Sequence, residues 1–475
     1  YRHMMAAHKL FEDKDGNLLW FSKENNSNGC VNTVDLTYPE APLFLAYNPE
    51  LQKAMMTSIF DYSYSGRWTK PFAAHDLGTY PLANGQRYSG DMPLEEAGNM
   101  LTLAAMLCKL DGNTAYVDKY WDIITTWADY LVENGQDPEN QLCTDDFAGH
   151  WAHNCNLSLK AICGVAGYAE MARLKGDAAT ADKYLATARQ MAKKWEEMAL
   201  EGDHYRLAFD RENTWSQKYN MIWDKLWNLG LFSDDVYKRE ISYYLTKQNK
   251  YGLPLDCRRD YTKSDWIMWT AAMAPDDDTF RKFVIPVYNY INETESRVPI
   301  SDWSDTKTGK MVGFKARSVI GGYWMKVFAD KLAAQLEEIK ALKKEIEQFK
   351  AKASAGGADD MLKNAEDVGG IHVVTATVTE GDANSLRKLG DLLRDKDSAV
   401  VAVIALVGEK LSLLAVCGKD AVAKGIKAGD IIKTIAPICG GKGGGKPDSA
   451  MGGGSDKSKV NEALAAVKPF VSERV

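Results

Sequence analysis

The last 151 residues of this 475-residue chain contain neither tryptophan nor tyrosine: all thirteen tryptophans lie between Trp20 and Trp324, and Tyr323 is the final tyrosine. The eight cysteines, at 30, 108, 143, 155, 163, 257, 417 and 439, form no Cys-x-x-Cys pair and have no histidine at zinc-ligand spacing. Spacing therefore calls for no metal and no other cofactor, and buried free thiols are expected. No apolar run reaches the roughly 18 residues of a membrane span, so no membrane partner is expected. The opening Tyr1-Arg2-His3-Met4 lacks the charged and apolar regions of an export signal, and the helical look of Tyr1 to Leu10 makes the chain read as an internal fragment. A strongly basic balance is missing too. The net charge is −7; from Lys331 onward 22 Lys and Arg face 20 Asp and Glu, and the preceding residues carry 36 against 45. That excludes the overall footprint of an obligate nucleic-acid binder while leaving room for a local basic patch.

What the tail has instead is glycine: eighteen of the 38 glycines follow Tyr323, many in Gly440-Gly441-Lys442-Gly443-Gly444-Gly445 and Gly452-Gly453-Gly454. The length exceeds what one hydrophobic core usually fills, so at least two cores are expected. We divide the chain into residues 1–332, a connecting helix and linker over 333–357, and a C-terminal domain over 358–475. The expected fold is mainly α, an incomplete (α/α) helical-hairpin toroid followed by a coiled-coil helix and a small α/β domain.

In the front part the apolar period predicts long helices over Glu95 to Leu110, Ala115 to Glu133, Asn156 to Leu174 and Ala179 to Ala199. Helices paired by loops rich in Trp, Asp, His and Gly suit a barrel of hairpins whose inner members are apolar on both sides. Its chemistry would sit in the loops. Thr37 to Pro42 reads as polar and turn-prone, as do the segments around His75-Asp76 and Asp145-Asp146-Phe147-Ala148-Gly149-His150. A carboxyl buried against an aromatic ring and a hydrogen-bonded neighbour titrate apart, giving an acid and a base at one pH. Asp145 and Asp146 could divide that labour, although Thr-Asp-Asp before a helix is also a good cap. Glu96, with Gly98 and Asn99 after it, could point into a cavity or complement a helix dipole. Lys23-Glu24 reads as a solvated pair or a substrate contact. Arg317 could fork a substrate carboxylate or serve a structural ion pair.

The stretches Lys70-Pro71-Phe72-Ala73-Ala74-His75-Asp76, Glu139 to His150, Trp215-Ser216-Gln217-Lys218-Tyr219-Asn220 and Gln248 to Asp256 resemble the six-helical-hairpin domain of the glutaminase A family, over about Tyr1 to Asp330. That resemblance implies an (α/α) toroid that hydrolyses the side-chain amide of glutamine, in a family usually exported; its β-rich domain and first helices lie outside this chain. Amide hydrolysis needs a base, an acid for the departing ammonia and donors for an oxyanion. The candidates are Asp145, Asp146, Glu96 and Asp76 as catalytic carboxylates, His75 and His150 as proton shuttles, and Lys23, Glu24 and Arg317 around the substrate. A glycosidase fits a toroid with facing carboxylates equally well.

Leu332, Ile339, Leu342, Ile346 and Phe349 then follow a 3.5-residue repeat among Glu and Lys, which suits a coiled-coil seam for self-association or a helix packed on a neighbour. Ala353-Ser354-Ala355-Gly356-Gly357 reads as a flexible linker. Beyond it, strands are expected over Ile371 to Val378, Ala399 to Val407 and Leu411 to Val416, with helices over Ala383 to Arg394, Asp420 to Ile438 and Val460 to Val471. Adjacent glycines let backbone amides approach a phosphate, but no Ser or Thr follows the lysine as an NTPase loop requires, and a plain glycine linker is the alternative. Gly443-Gly444-Gly445-Lys446-Pro447-Asp448-Ser449-Ala450-Met451-Gly452-Gly453 resembles the DHHA1-type C-terminal domain of alanyl-tRNA synthetase, over about Leu336 to Val475. The resemblance implies tRNA as partner, a cytoplasmic family, contacts from Lys442, Gly443, Gly444, Gly445 and Lys446, weaker ones from Arg387 and Lys388, and no ligase activity. An exported hydrolase and a cytoplasmic tRNA module share no compartment, so an artificial or misassembled fusion is expected, joined between about Asp330 and Leu336. A wholly non-catalytic RNA-binding protein is the rival reading.

Overall fold

A computed structural model describes residues 2–144 and 146–475; the side chains of 146, 347 and 349–355 lie outside that description. The chain divides into two compact units, Tyr1–Leu336 and Glu337–Val475.

The first unit is a ring built from helical hairpins. Five inner helices, Val34–Tyr47, Pro93–Asp111, Cys155–Lys175, Ile222–Trp227 and Ser264–Ala272, alternate with five outer ones, Pro49–Tyr64, Trp121–Asn134, Ala178–Ala199, Asp234–Lys247 and Asp277–Glu293. The inner set is buried all round: Leu94 to Cys108 and Cys155 to Ala169 are unbroken buried runs. The outer set buries one stripe, as at Ile124, Trp127, Ala128 and Leu131, the i, i+3, i+4, i+7 spacing of a helix with one face in water. The 3-10 segment Ser318–Trp324 packs on both the first and the fifth inner helices and closes the ring. The second and third inner helices approach closely because Gly98 and Gly164 face each other; a Cβ on Gly98 would stand 2.9 Å from the Lys160 carbonyl oxygen. That contact brings Glu95, Glu96, Asn99 and Lys160 together.

Two local expectations fail. Tyr1 to Leu10 is not one helix: the helix Arg2–Ala6 leads into an antiparallel hairpin of His8–Glu12 and Leu18–Ser22. Thr37 to Pro42 lies inside the Val34–Tyr47 helix despite Pro39 and Pro42, because burial of that helix on every side outweighs the hydrogen bonds the prolines remove. No helix among the described residues is long and apolar enough to cross a membrane. Seven cysteines are buried and Cys257 is exposed.

The second unit holds a six-stranded sheet in the order Lys442–Gly445, Ser449–Gly454, Leu411–Cys417, Val400–Val407, Ile371–Val378, Glu366–Val368. The Ile371–Val378 and Val400–Val407 strands are parallel, joined through the helix Ala383–Lys396; the other pairs are antiparallel. Period-2 alternation serves both faces. Val400, Ala402, Ile404 and Leu406 pack with Leu386 and Leu393, while Val401, Val403 and Ala405 pack with Ile431, Ile432 and Val467. The glycine run is therefore a β-hairpin at the sheet edge, not a linker. The helix Met325–Lys363 runs through 353–357, where a flexible linker was expected. Of its expected seam residues, Ile339, Leu342 and Ile346 are exposed and Leu332 is buried; the Phe349 side chain lies outside the described residues. The region Asp420 to Ile438 is broken into Lys419–Ala423, Ala428–Ile435 and a 3-10 turn, and Val460 to Val471 into two short helices.

One buried ion-pair network ties the start of the first unit to its end. Arg317 donates from Nη2 to Asp302 Oδ2 (2.8 Å) and from Nη1 to Glu24 Oε1 (2.9 Å), and Lys263 Nζ lies 2.7 Å from Asp302 Oδ2. Burial acts to raise the Asp302 carboxyl, but Arg317 and Lys263 outweigh it and hold the group down at about 2. A depressed carboxyl stabilises the fold above its unfolded value near 3.8, and that contribution is lost as pH falls through about 2. Urea unfolding of the full chain and of Asp302→Asn should therefore show a stability gap on the order of 2 kcal/mol or more at pH 6 that shrinks between about pH 4 and pH 2. A gap constant over that range would remove Asp302 as the group that titrates.

Candidate active site

Three inner helices and the closing 3-10 segment present their N-terminal ends to one narrow cavity of about 90 Å³. Asp35 lies in the first turn of Val34–Tyr47, Met92 caps Pro93–Asp111, Lys263 and Trp266 stand at the start of Ser264–Ala272, and Arg317 caps Ser318–Trp324. Glu24, His75, Tyr88, Cys143, Thr144, Phe147 and Phe314 complete the wall. Unpaired backbone N–H groups at helix starts favour negative charge nearby, which suits the carboxylates collected here.

Three of the candidates read from the sequence meet in the wall: Glu24, His75 and Arg317. Asp76 and Glu96 stand directly behind it. Asp76 is fully buried; its carboxylate accepts the backbone N–H groups of Gly78 (2.7 Å), Arg87 (2.9 Å) and Tyr88 (3.1 Å), and its Oδ2 lies 2.9 Å from His75 Nδ1. Burial acts to raise this carboxyl, but the His75 and backbone hydrogen bonds hold it below the ordinary carboxylate value. Asp76 thus orients the imidazole and leaves Nε2 to face Asp35, whose Oδ1 is 3.7 Å away. Burial opposes protonation of His75, but Asp35 and Asp76 outweigh it and raise its pKa. Burial also pushes the Asp35 carboxyl up to about 7. Glu96, with no exposed surface, is driven well above the usual range by burial and then by the charges of Asp35 and Glu95. Lys160 is committed elsewhere: its Nζ lies 2.8 Å from Glu95 Oε1, donates to Asn99 Oδ1 at 3.0 Å and sits 4.1 Å from the centre of the Tyr38 ring.

Other candidates are placed differently. Lys23 is half-buried and His150 is exposed, and neither lines the cavity. Asp145 lies outside the described residues; Asp146 begins a 3-10 turn, Asp146–Ala148, with its side chain outside the description. Sequence reading missed Asp35, Lys263, Trp266 and Asp302. Asp35 sat one turn before a proline pair taken for a loop, and nothing local distinguishes Lys263 from a surface lysine; only ring closure brings it beside Arg317.

In the second unit, Lys442 and Lys446 are exposed on the glycine hairpin, where Lys442 pairs with Gly453 and Gly444 with Met451. Arg387 and Lys388 are exposed on Ala383–Lys396, and Arg387 Nε lies 3.1 Å from Met451 Sδ, beside the same hairpin.

A family model described as the glutaminase A six helical-hairpin domain matches residues 1–327, and one described as the DHHA1 domain matches residues 370–473. Glutaminase A of Aspergillus oryzae is 36% identical over 314 residues, which are 64% of this chain and 45% of the fungal protein. Alanine–tRNA ligase of Methylobacillus flagellatus is 45% identical over 148 residues, 31% of this chain and 17% of the ligase. Among solved structures, the C-Ala domain of Aquifex aeolicus alanyl-tRNA synthetase is 30% identical, with 23% of this chain covering 98% of that one at a TM-score of 0.22. The chain spans less than half the length of the curated relatives it matches. With its helical ring covered from end to end by the first of these models, the chain belongs to the glutaminase A six helical-hairpin family and carries a DHHA1 domain in its C-terminal part.

Proposed function

We propose that the ring hydrolyses the side-chain amide of glutamine. The observation that carries this reading is the meeting of opposite charges around one small cavity: Glu24 and Asp35 with His75, beside Lys263 and Arg317. A free amino acid presents an ammonium and a carboxylate a few ångströms apart, and such walls suit both. Lys263 and Arg317 take the α-carboxylate, and Glu24 takes the ammonium. Asp35 accepts a proton from water as it attacks the amide carbon, and His75, held by Asp76, delivers a proton to the departing ammonia, leaving glutamate. Thr144 lies in the cavity wall, where its hydroxyl donates to Glu95 Oε1 at 2.9 Å. Asp145, the next residue, is kept as a candidate.

We infer that the second unit binds tRNA through the glycine hairpin. A glycine-rich edge strand lets a phosphate backbone lie close to the sheet edge, with Lys442, Lys446 and Arg387 beside it and Lys388 on the same helix as Arg387. We also infer that two proteins of unrelated origin are joined between about Asp330 and Leu336, on the loss of every tryptophan and tyrosine beyond Trp324.

Asp35→Asn and His75→Ala should each lower ammonia release from glutamine by about 100-fold or more with the helical circular-dichroism signal retained; full turnover in either, or release of reducing sugar from oligosaccharides instead of ammonia, would reject the amidase. Lys442→Ala with Lys446→Ala should weaken tRNA retention and flatten the slope of log affinity against log salt by roughly 1.5 to 2, and an unaltered slope would take the hairpin out of the interface. Contiguous nucleic-acid reads across codons 325 to 345 should break near the inferred join; unbroken natural reads would show the two units to be one gene product.

A further inference from the structure

We propose that Asp35, His75 and Glu96 form a binding site for one divalent first-row transition-metal ion, of the Zn²⁺ or Mn²⁺ class. One donor atom from each lies within 4.8 Å of the other two. Donors around an ion at about 2.1 Å stand roughly 3 to 4.2 Å apart, and His75 Nε2 and Asp35 Oδ1 are already 3.7 Å apart.

The hydrogen bonding points to a cation. With Nδ1 held 2.9 Å from the buried, backbone-anchored Asp76 carboxylate, the neutral imidazole carries its proton on Nδ1 and turns the lone pair of Nε2 toward Asp35. That is the carboxylate–histidine arrangement that fixes a metal-binding imidazole. Nε2 then faces acceptors only. Asp35 Oδ1 and Glu96 Oε1 are buried atoms that take no hydrogen bond among the described residues, and Glu96 has no exposed surface. Glu96 Oε2 is steadied by Asn99 Nδ2 at 3.1 Å.

Neighbouring cations make their close contacts with other carboxylates, Lys263 with Asp265 and Asp302 among them. Lys160 is taken by Glu95 and Asn99, and Arg317 by Asp302 and Glu24. Two carboxylates and one imidazole nitrogen thus converge with no lysine or arginine ion-paired to either carboxylate among the described residues, an arrangement that a divalent ion satisfies by displacing the protons these groups otherwise hold. One nitrogen and two oxygens suit transition ions over Ca²⁺ or Mg²⁺, which prefer oxygen alone. Asp35 and His75 also line the cavity, so positions on the ion away from the protein open to water or substrate. Bound there, the ion would take over from Asp35 the task of making a cavity water nucleophilic and would occupy the nitrogen from which His75 delivers a proton in the metal-free reading.

The binding claim does not rest on the glutamine reading, and its test reads binding first. Full-length protein, dialysed against chelator and titrated with Zn²⁺ and separately with Mn²⁺ in a calorimeter, should take up one ion per chain that is lost or weakened at least 10-fold in Glu96→Gln and in His75→Ala, with weaker uptake of Ca²⁺. Asp76→Asn, which removes no proposed ligand but alters the support of the imidazole and the bonds to the Gly78, Arg87 and Tyr88 backbone, should weaken binding about 10- to 100-fold in the folded variant. Should a buried-site variant fail to fold by circular dichroism, Asp35→Asn at the cavity wall gives the same reading. No uptake by the folded wild-type chain, or uptake unchanged in the folded variants, overturns the site. Binding as expected without ammonia release would reject the amidase and leave the metal site standing.

Discussion

Burial of the inner helices on every side is the constraint on which the rest of the first unit depends. A charged group on such a helix cannot reach bulk water, so it must meet a partner or keep its proton. The ring supplies partners by placing the starts of its inner elements around one end. Glu95 finds Lys160, Arg317 finds Asp302 and Glu24, and Asp76 finds His75 together with three backbone N–H groups. Asp35 and Glu96 are left with the least compensation, and their carboxyls are pushed up accordingly. The feature that makes this end of the ring costly to fold is the one that gives it chemical reach.

The same ion pairs decide what Arg317 can do. A guanidinium already held by two carboxylates is a fixed wall, with little freedom to follow a ligand, so recognition there depends on shape and charge set before a ligand arrives. Because Glu24 belongs to the opening segment and Arg317 to the closing one, the pair also fastens the first residues of the ring to its last, and the cavity exists only when the ring is closed.

The second unit solves a different packing problem. Its central strands are apolar on both faces, which requires a helical layer on each, and the sheet edge left over is the glycine hairpin. Glycine at that edge lets the helix Ala428–Ile435 come close, with Ile432 against Gly443 and Gly452, and leaves Gly444 open, with Lys442 at the start of the strand and Lys446 at the turn. Charge at the rim of a glycine-rich edge suits a ligand met through its backbone.

Much of the architecture was legible in the chain itself. The nearly continuous apolar stretch Met100 to Cys108, beside the single stripe of Trp121–Asn134, announces an inner and an outer helix, since periodicity reports how many sides of an element are dry. The end of tryptophan and tyrosine after Trp324 announces a second unit, and His75-Asp76, Glu96, Glu24 and Arg317 were recognisable as candidates. Folding in space decided the rest. Prolines at 39 and 42 read as a loop because propensity is local, yet the helix containing them is held by neighbours far away in sequence. Asp35, His75 and Glu96 belong to different segments, and Lys263 and Asp302 reach Arg317 only when the ring closes. Sequence fixes which residues must be buried through their spacing; which charges they meet there depends on long-range packing, which no local pattern encodes.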